Sequence, residues 1–130
     1  MRKTRWAARG LLLGVVLLAG CQRLSHEKTM TLGPGGEEAI TCDPPKYDQT
    51  VVVTATGGDV PLNLYLFLSD EPDAAKVVDR GKPSTDVLGK KEKEPNPTVE
   101  GKVPKGKGFA VLVGNAGSKT TEVTLKIKGH

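Results

Sequence analysis

Aromatic side chains are scarce in this chain: phenylalanine, tyrosine and tryptophan together make up 4% of 130 residues. The single tryptophan, Trp6, stands in the basic N-terminal stretch. A core built from the rest must be mostly aliphatic. A sugar-stacking platform needs several exposed rings, and only Tyr47, in the loop Asp43-Pro44-Pro45-Lys46-Tyr47-Asp48, is placed to supply one. Histidine is nearly absent too. His26 sits near the start of the chain beyond the apolar run and His130 is the last residue, so neither has a nucleophile to serve. There is no CxxC, HExxH, P-loop or GxSxG pattern. These gaps argue against an enzyme and leave no cofactor or metal to expect. No apolar run reaches the ~20 residues of a membrane-spanning helix, and no acid precedes Glu27.

What stands at the N-terminus is specific. Arg2, Lys3, Arg5 and Arg9 make it positive, and an apolar run from Gly10 to Gly20 follows, about the length of a signal-peptide core. The run ends Leu18-Ala19-Gly20-Cys21. This order resembles the lipobox of bacterial lipoproteins. The resemblance implies that residues 1–20 are a signal peptide cut before Cys21, that the Cys21 thiol carries a diacylglycerol, and that the freed amine can be acylated as well. Several acyl chains, each buried CH2 contributing ~0.8 kcal/mol, hold such a protein on a membrane. Gln22, where an aspartate favours the inner membrane, resembles the outer-membrane pattern. An ordinary signal peptide with a chance cysteine, or an N-terminal membrane helix, are the alternatives.

Removal of residues 1–20 changes the charge. The whole chain has 19 Lys+Arg against 15 Asp+Glu, a formal +4 and a pI near 9.1. Four of those bases and no acid lie in the signal, so the chain from Cys21 on is balanced, 15 against 15. The excess that nucleic-acid binding requires is gone. The remaining length suits one domain with one core. With Cys21 lipidated, Cys42 is the one thiol left and no internal disulfide can form. At the end of Glu38-Ala39-Ile40-Thr41-Cys42 it reads as a small buried strand residue, with an intermolecular disulfide or a reactive thiol as alternatives.

Residues 21–29 read as a lipidated tether and residues 30–130 as one domain. The dominant period of that domain is two. Thr29-Met30-Thr31-Leu32 alternates, and Gly33-Pro34-Gly35-Gly36 turns. Thr50–Thr56 is β-branched almost throughout and stops at Gly57-Gly58-Asp59. Leu62–Leu68 puts four leucines on one face and Asn63, Tyr65 and Phe67 on the other, which suits a central strand. Thr98–Val103, Phe109–Val113 and Glu122–Lys128 follow, with turns at Pro104–Gly108 and Asn115–Ser118. The prediction is an all-β fold: a small antiparallel β-sandwich of jelly-roll or Greek-key type with seven or eight strands.

Two segments depart from this. Ser69–Gly81 predicts one short helix near 71–80, capped by Asp70 or Ser69, with Pro72 in its first turn and Gly81 at its stop. Lys82–Pro97 reads as an exposed connection with a short edge strand at Asp86–Lys91. The final third carries a second resemblance. Thr98, Glu100, Val103-Pro104, Gly106, Phe109, Val111, Val113 and Asn115, then Val123, Leu125 and Ile127, resemble the closing strands of bacterial pre-peptidase C-terminal-like domains. Those are jelly-roll-type sandwiches of secreted proteins, and the likeness implies a fold and no active site.

Two surface features remain. Asp70, Glu71, Asp73 and Asp79 supply oxygen ligands of the kind calcium takes, but the EF-hand spacing and its glycine are missing, and helix capping accounts for Asp70 and Asp73. Lys102, Lys105 and Lys107 crowd one hairpin end, where they could meet an anionic headgroup or polysaccharide or simply keep an edge soluble. With Tyr47 they form the candidate interaction surface. The sequence therefore describes a membrane-anchored, non-catalytic β-sandwich in the bacterial envelope, pointing to the outer membrane. Its role is structural or binding, its partner an envelope protein or surface polymer. A periplasmic inhibitor or accessory module of an envelope enzyme is the alternative.

Overall fold

The structure, a computed structural model, describes residues 25–71, 73, 76, 78–79, 82–83 and 87–130. Ten strands follow in order: β1 (Ser25–Leu32), β2 (Glu37–Cys42), β3 (Gln49–Thr56), β4 (Leu62–Leu68), β5 (Val78–Asp79), β6 (Lys82–Pro83), β7 (Val87–Glu94), β8 (Thr98–Val103), β9 (Phe109–Asn115) and β10 (Thr121–Gly129). Eight of them build two four-stranded sheets, ordered β1-β10-β3-β8 and β2-β9-β4-β7. Every pairing is antiparallel. Successive long strands alternate between the sheets except β4 and β7, which are neighbours in one sheet, and the chain's last strand returns between its first and third. This is the eight-stranded jelly roll, the finer of the sandwich topologies the alternation allowed.

The pleat decides which residues meet. On β10, Val123, Leu125 and Ile127 are wholly buried while Glu122, Lys126 and Lys128 face water. The same alternation sends Val51, Val53 and Ala55 of β3, Leu62, Leu64 and Leu66 of β4, and Phe109, Val111 and Val113 of β9 into one interior. Met30, Leu32, Val99 and Val103 close it at the edges. β4 and β9 are the inner strands of their sheet and apolar on both faces. Their outward residues Tyr65, Phe67, Ala110 and Leu112 form a second buried cluster with Ala39, which is why these two strands carry no alternation.

Three expectations change. The helix near 71–80 is absent among the described residues. The Lys76 N–H donates to the Asp73 carbonyl (2.9 Å), a single tight turn, and Val78–Asp79 then pairs with Lys82–Pro83 as a two-residue hairpin. Of the two caps that suggested a helix, Ser69 closes a turn instead and Asp70 accepts from the distant Gly108 N–H. Ser69 Oγ accepts from the Glu71 N–H (3.2 Å) and Glu71 Oε1 from the Asp73 N–H (3.1 Å). Ser, Asp and Glu side chains serve turns as readily as helix starts, and a stripe of alanine and valine cannot hold a short helix by itself. The edge strand read at 86–91 is longer, spanning Val87–Glu94. Finally, β1 begins at Ser25, within the stretch read as tether. The ladder from Ser25↔Lys128 to Leu32↔Thr121 is continuous, because the neighbouring β10 offers a full row of backbone partners whatever the polarity of Ser25–Thr29.

Candidate functional site

The jelly roll gathers its connections at two ends. At one end lie the loops 43–48 and 104–108, the residues 69–71 that follow β4, the start of β1 and the end of β10. At the other lie the loops 33–36, 57–61, 95–97 and 116–120.

The first end is where the predicted surface residues meet. The loop 43–48 and the hairpin 104–108 are far apart in sequence and joined in space. The Gly106 N–H donates to the Pro45 carbonyl (3.0 Å), and the Lys105 N–H donates to Asp48 Oδ1 (2.8 Å). The connection after β4 is tied to the same hairpin. The Ser69 N–H donates to the Gly108 carbonyl (2.9 Å), and the Gly108 N–H to Asp70 Oδ1 (2.9 Å). Gly106 holds φ +80°, a turn conformation glycine adopts without strain. Gly108 allows no side chain, since a Cβ there would come within 2.5 Å of the Ser69 carbonyl oxygen. The sequence thus places Tyr47 and the lysines separately, and the topology sets them side by side.

Tyr47 is 57% exposed, and Lys102, Lys105 and Lys107 are exposed around it. An open groove of about 430 Å³ runs past Asp48, Gln49, Thr50, Lys102, Val103, Pro104 and His130. The last residue is held there by main-chain bonds, His130 N–H to the Thr50 carbonyl (2.9 Å) and Thr50 N–H to the His130 carbonyl (2.8 Å). His26 lies elsewhere, exposed on β1 opposite Ile127. A second, smaller hollow of about 190 Å³ is lined by Cys42, Asp43, Asp70, Glu71 and Gly108 among others.

Cys42 ends β2, half-buried against the core. Burial, with the Asp43 carboxylate beside it, pushes its thiol up to about 11. Such a thiol stays protonated at neutral pH and is a poor nucleophile. Of the four acids with oxygens of the kind calcium takes, Asp70 accepts from the Gly108 N–H and Glu71 from the Asp73 N–H. Among the described residues no three His, Cys, Asp or Glu side chains gather as a metal would require. Cys21, the expected lipid attachment residue, lies outside the described residues.

The opposite end hides a residue the sequence marked only as a turn. Asn115 is 3% exposed, and its Nδ2 donates to the Leu32 (2.9 Å) and Lys119 (2.7 Å) carbonyls while its Oδ1 accepts from the Gly117 N–H (2.8 Å). Its main chain bonds Gly35 and Gly36. One side chain therefore locks the β1–β2 and β9–β10 turns together. Asparagine at the end of an apolar strand was the available signal.

No family model and no curated protein matches the chain. Solved structures do resemble it. A Yersinia pseudotuberculosis-derived mitogen superposes with a TM-score of 0.57 at 14% identity, over 82% of this chain and 86% of that one. Aeromonas hydrophila PliG, a periplasmic inhibitor of g-type lysozyme, also reaches 0.57 at 16% identity, over 89% and 93%. At such identities the likeness is one of fold. The class the fold defines is the small antiparallel β-sandwich.

Proposed function

We propose that this protein is a bacterial lipoprotein that holds one jelly-roll module on the envelope side of a membrane, through acyl chains on Cys21, and binds a partner there. The observation that carries the reading is the union of a Leu-Ala-Gly-Cys signal with a complete, self-contained sandwich that starts only four residues later, at Ser25. Residues 22–24 are all that separates the anchor from the domain, an arrangement that suits a fixture at a membrane better than a diffusing enzyme. Tyr47, Lys105 and Lys107 on exposed loops and Lys102 at the end of β8 are side chains suited to contact and not to covalent chemistry. Cys21→Ser expressed in a bacterium is expected to move the protein from the detergent-rich phase to the aqueous phase. Unchanged partitioning would sink the anchoring.

A second reading has one observation in its favour. The likeness to the g-type lysozyme inhibitor runs over nearly the whole of both chains, so a partner could be an envelope glycan hydrolase. Purified mature protein added to g-type lysozyme acting on peptidoglycan should then slow the clearing of the suspension. No slowing at saturating protein would leave the binding reading without this partner.

A further inference from the structure

The point at which the tether leaves the sandwich orients the whole molecule. Ser25 pairs with Lys128, next to His130, and His130 is bonded to Thr50 at the start of β3. Gln49 of β3 pairs in turn with Val103 at the end of β8. The tether therefore emerges at the end that carries loop 43–48 and hairpin 104–108, not at the end that Asn115 locks.

We propose that this end of the jelly roll lies on the anionic phospholipid headgroups of the bilayer that holds Cys21, with Lys102, Lys105 and Lys107 as its contacts. The inference rests on the lipid-anchored reading and adds an interaction surface to it. Reach is the first argument. From Cys21 to Ser25 the chain extends at most about 14 Å. A four-stranded sheet is itself about 14 Å across at ~4.8 Å between strands, so loops at the tethered end cannot stand clear of the surface. Charge is the second. Among the described residues no ion pair holds Lys102, Lys105 or Lys107, and Lys46 and Lys128 are exposed at the same end. Two acids of this end, Asp48 and Asp70, each have a carboxylate oxygen taken by the hairpin's own N–H groups, and neither is ion-paired to Lys102, Lys105 or Lys107 among the described residues. Asp43, Glu71 and Asp73 sit to one side, around the smaller hollow or beyond it, and make the contact local to the hairpin. Exposed Tyr47 beside the lysines suits the headgroup layer, where aromatic rings with a polar tip settle. The far loops 33–36, 57–61, 95–97 and 116–120 are then held off the membrane by the length of the strands, about 25–30 Å for seven to nine residues.

The test uses the full lipidated chain with a fluorophore at Lys46→Cys or at Ser118→Cys, each checked by its thermal melt. Cys42, protonated at neutral pH, reacts slowly and leaves the new thiol to the label. The chains are reconstituted into phosphatidylcholine vesicles with and without phosphatidylglycerol, carrying a headgroup quencher. With phosphatidylglycerol, quenching at position 46 should exceed that at 118 severalfold. The excess should shrink in the triple variant Lys102→Gln, Lys105→Gln, Lys107→Gln and at high salt. Equal quenching at both positions overturns the docking. An excess indifferent to phosphatidylglycerol and to the triple variant overturns the charge contact. Chains that fail to float with the vesicles overturn the anchoring itself, and this proposal with it.

Discussion

Asn115 shows how much one side chain can hold. It is the one polar or charged residue buried in the sandwich among the described residues, and all three of its side-chain bonds go to backbone groups. Asn115→Ala leaves two carbonyls and one N–H to find other partners. An unsatisfied buried group costs about 1–3 kcal/mol, so a loss of about 2–4 kcal/mol is expected in urea unfolding. A midpoint equal to wild type would show that water replaces the amide without penalty. Cys42 makes a different prediction at this scale. A thiol pushed from 9.0 to about 11 holds about a hundredfold less thiolate at pH 8 than an ordinary one. Alkylation of the folded protein should be slow by that factor and should keep accelerating toward pH 11. The sign for stability follows: the unfolded thiol ionises first, so the folded state loses support as pH rises from about 9 through 11. A labelling rate that levels off near pH 9 would contradict the burial.

At the scale of elements, β7 is the instructive strand. It is an edge of its sheet and carries Lys90, Lys91, Glu92, Lys93 and Glu94. Its register against β4 slips twice. Leu62↔Glu94 and Leu64↔Lys91 leave one residue extra on β7, with Lys93 at φ +55°, and Leu66↔Gly89 and Phe67↔Val87 leave another. The Lys93 N–H is taken by Asn63 Oδ1 (2.9 Å), and the Tyr65 hydroxyl donates to Glu92. Bulges and lysines together prevent an exposed edge from recruiting another chain. Replacing Lys90, Lys91 and Lys93 by threonine should therefore promote self-association, read by analytical ultracentrifugation as added mass. A strictly monomeric variant would mean the bulges alone protect the edge. β1 illustrates the opposite case. Its first half is polar and exposed, yet paired, and deleting residues 21–29 should cost about 2–3 kcal/mol at ~0.5–1.5 kcal/mol per lost ladder bond. Equal stability of the shortened domain would show that the start of β1 is held by the ladder without contributing to it.

The whole molecule is built from distant pairings: β1 with β10, β2 with β9, β3 with β8 and β10. Such a contact pattern slows folding, and refolding in the millisecond-to-second range is expected by stopped-flow. The same topology gives the sandwich its two loop-bearing ends.

Much of this was legible in the chain itself. The lipobox-like signal, the charge balance after Cys21 and the even spacing of apolar residues come from local chemistry, and a period of two admits a half-buried strand and little else. That reasoning reaches the sandwich, the inner position of β4 and the core faces of β10. It fails where local signals serve two purposes. Ser69 and Glu71 cap a turn as well as they cap a helix, Asp70 serves a distant hairpin instead, and the polar residues 25–29 look like a tether because their only reason to be a strand is the neighbour β10. Tertiary structure alone decided that pairing. It also decided the burial of Asn115, and the meeting of Tyr47 with Lys102, Lys105 and Lys107, residues 55 to 60 positions apart in sequence. Backbone hydrogen bonds between strands carry no side-chain signature, so which strands become neighbours, and which loops share an end, is set only when the two sheets close on a common core.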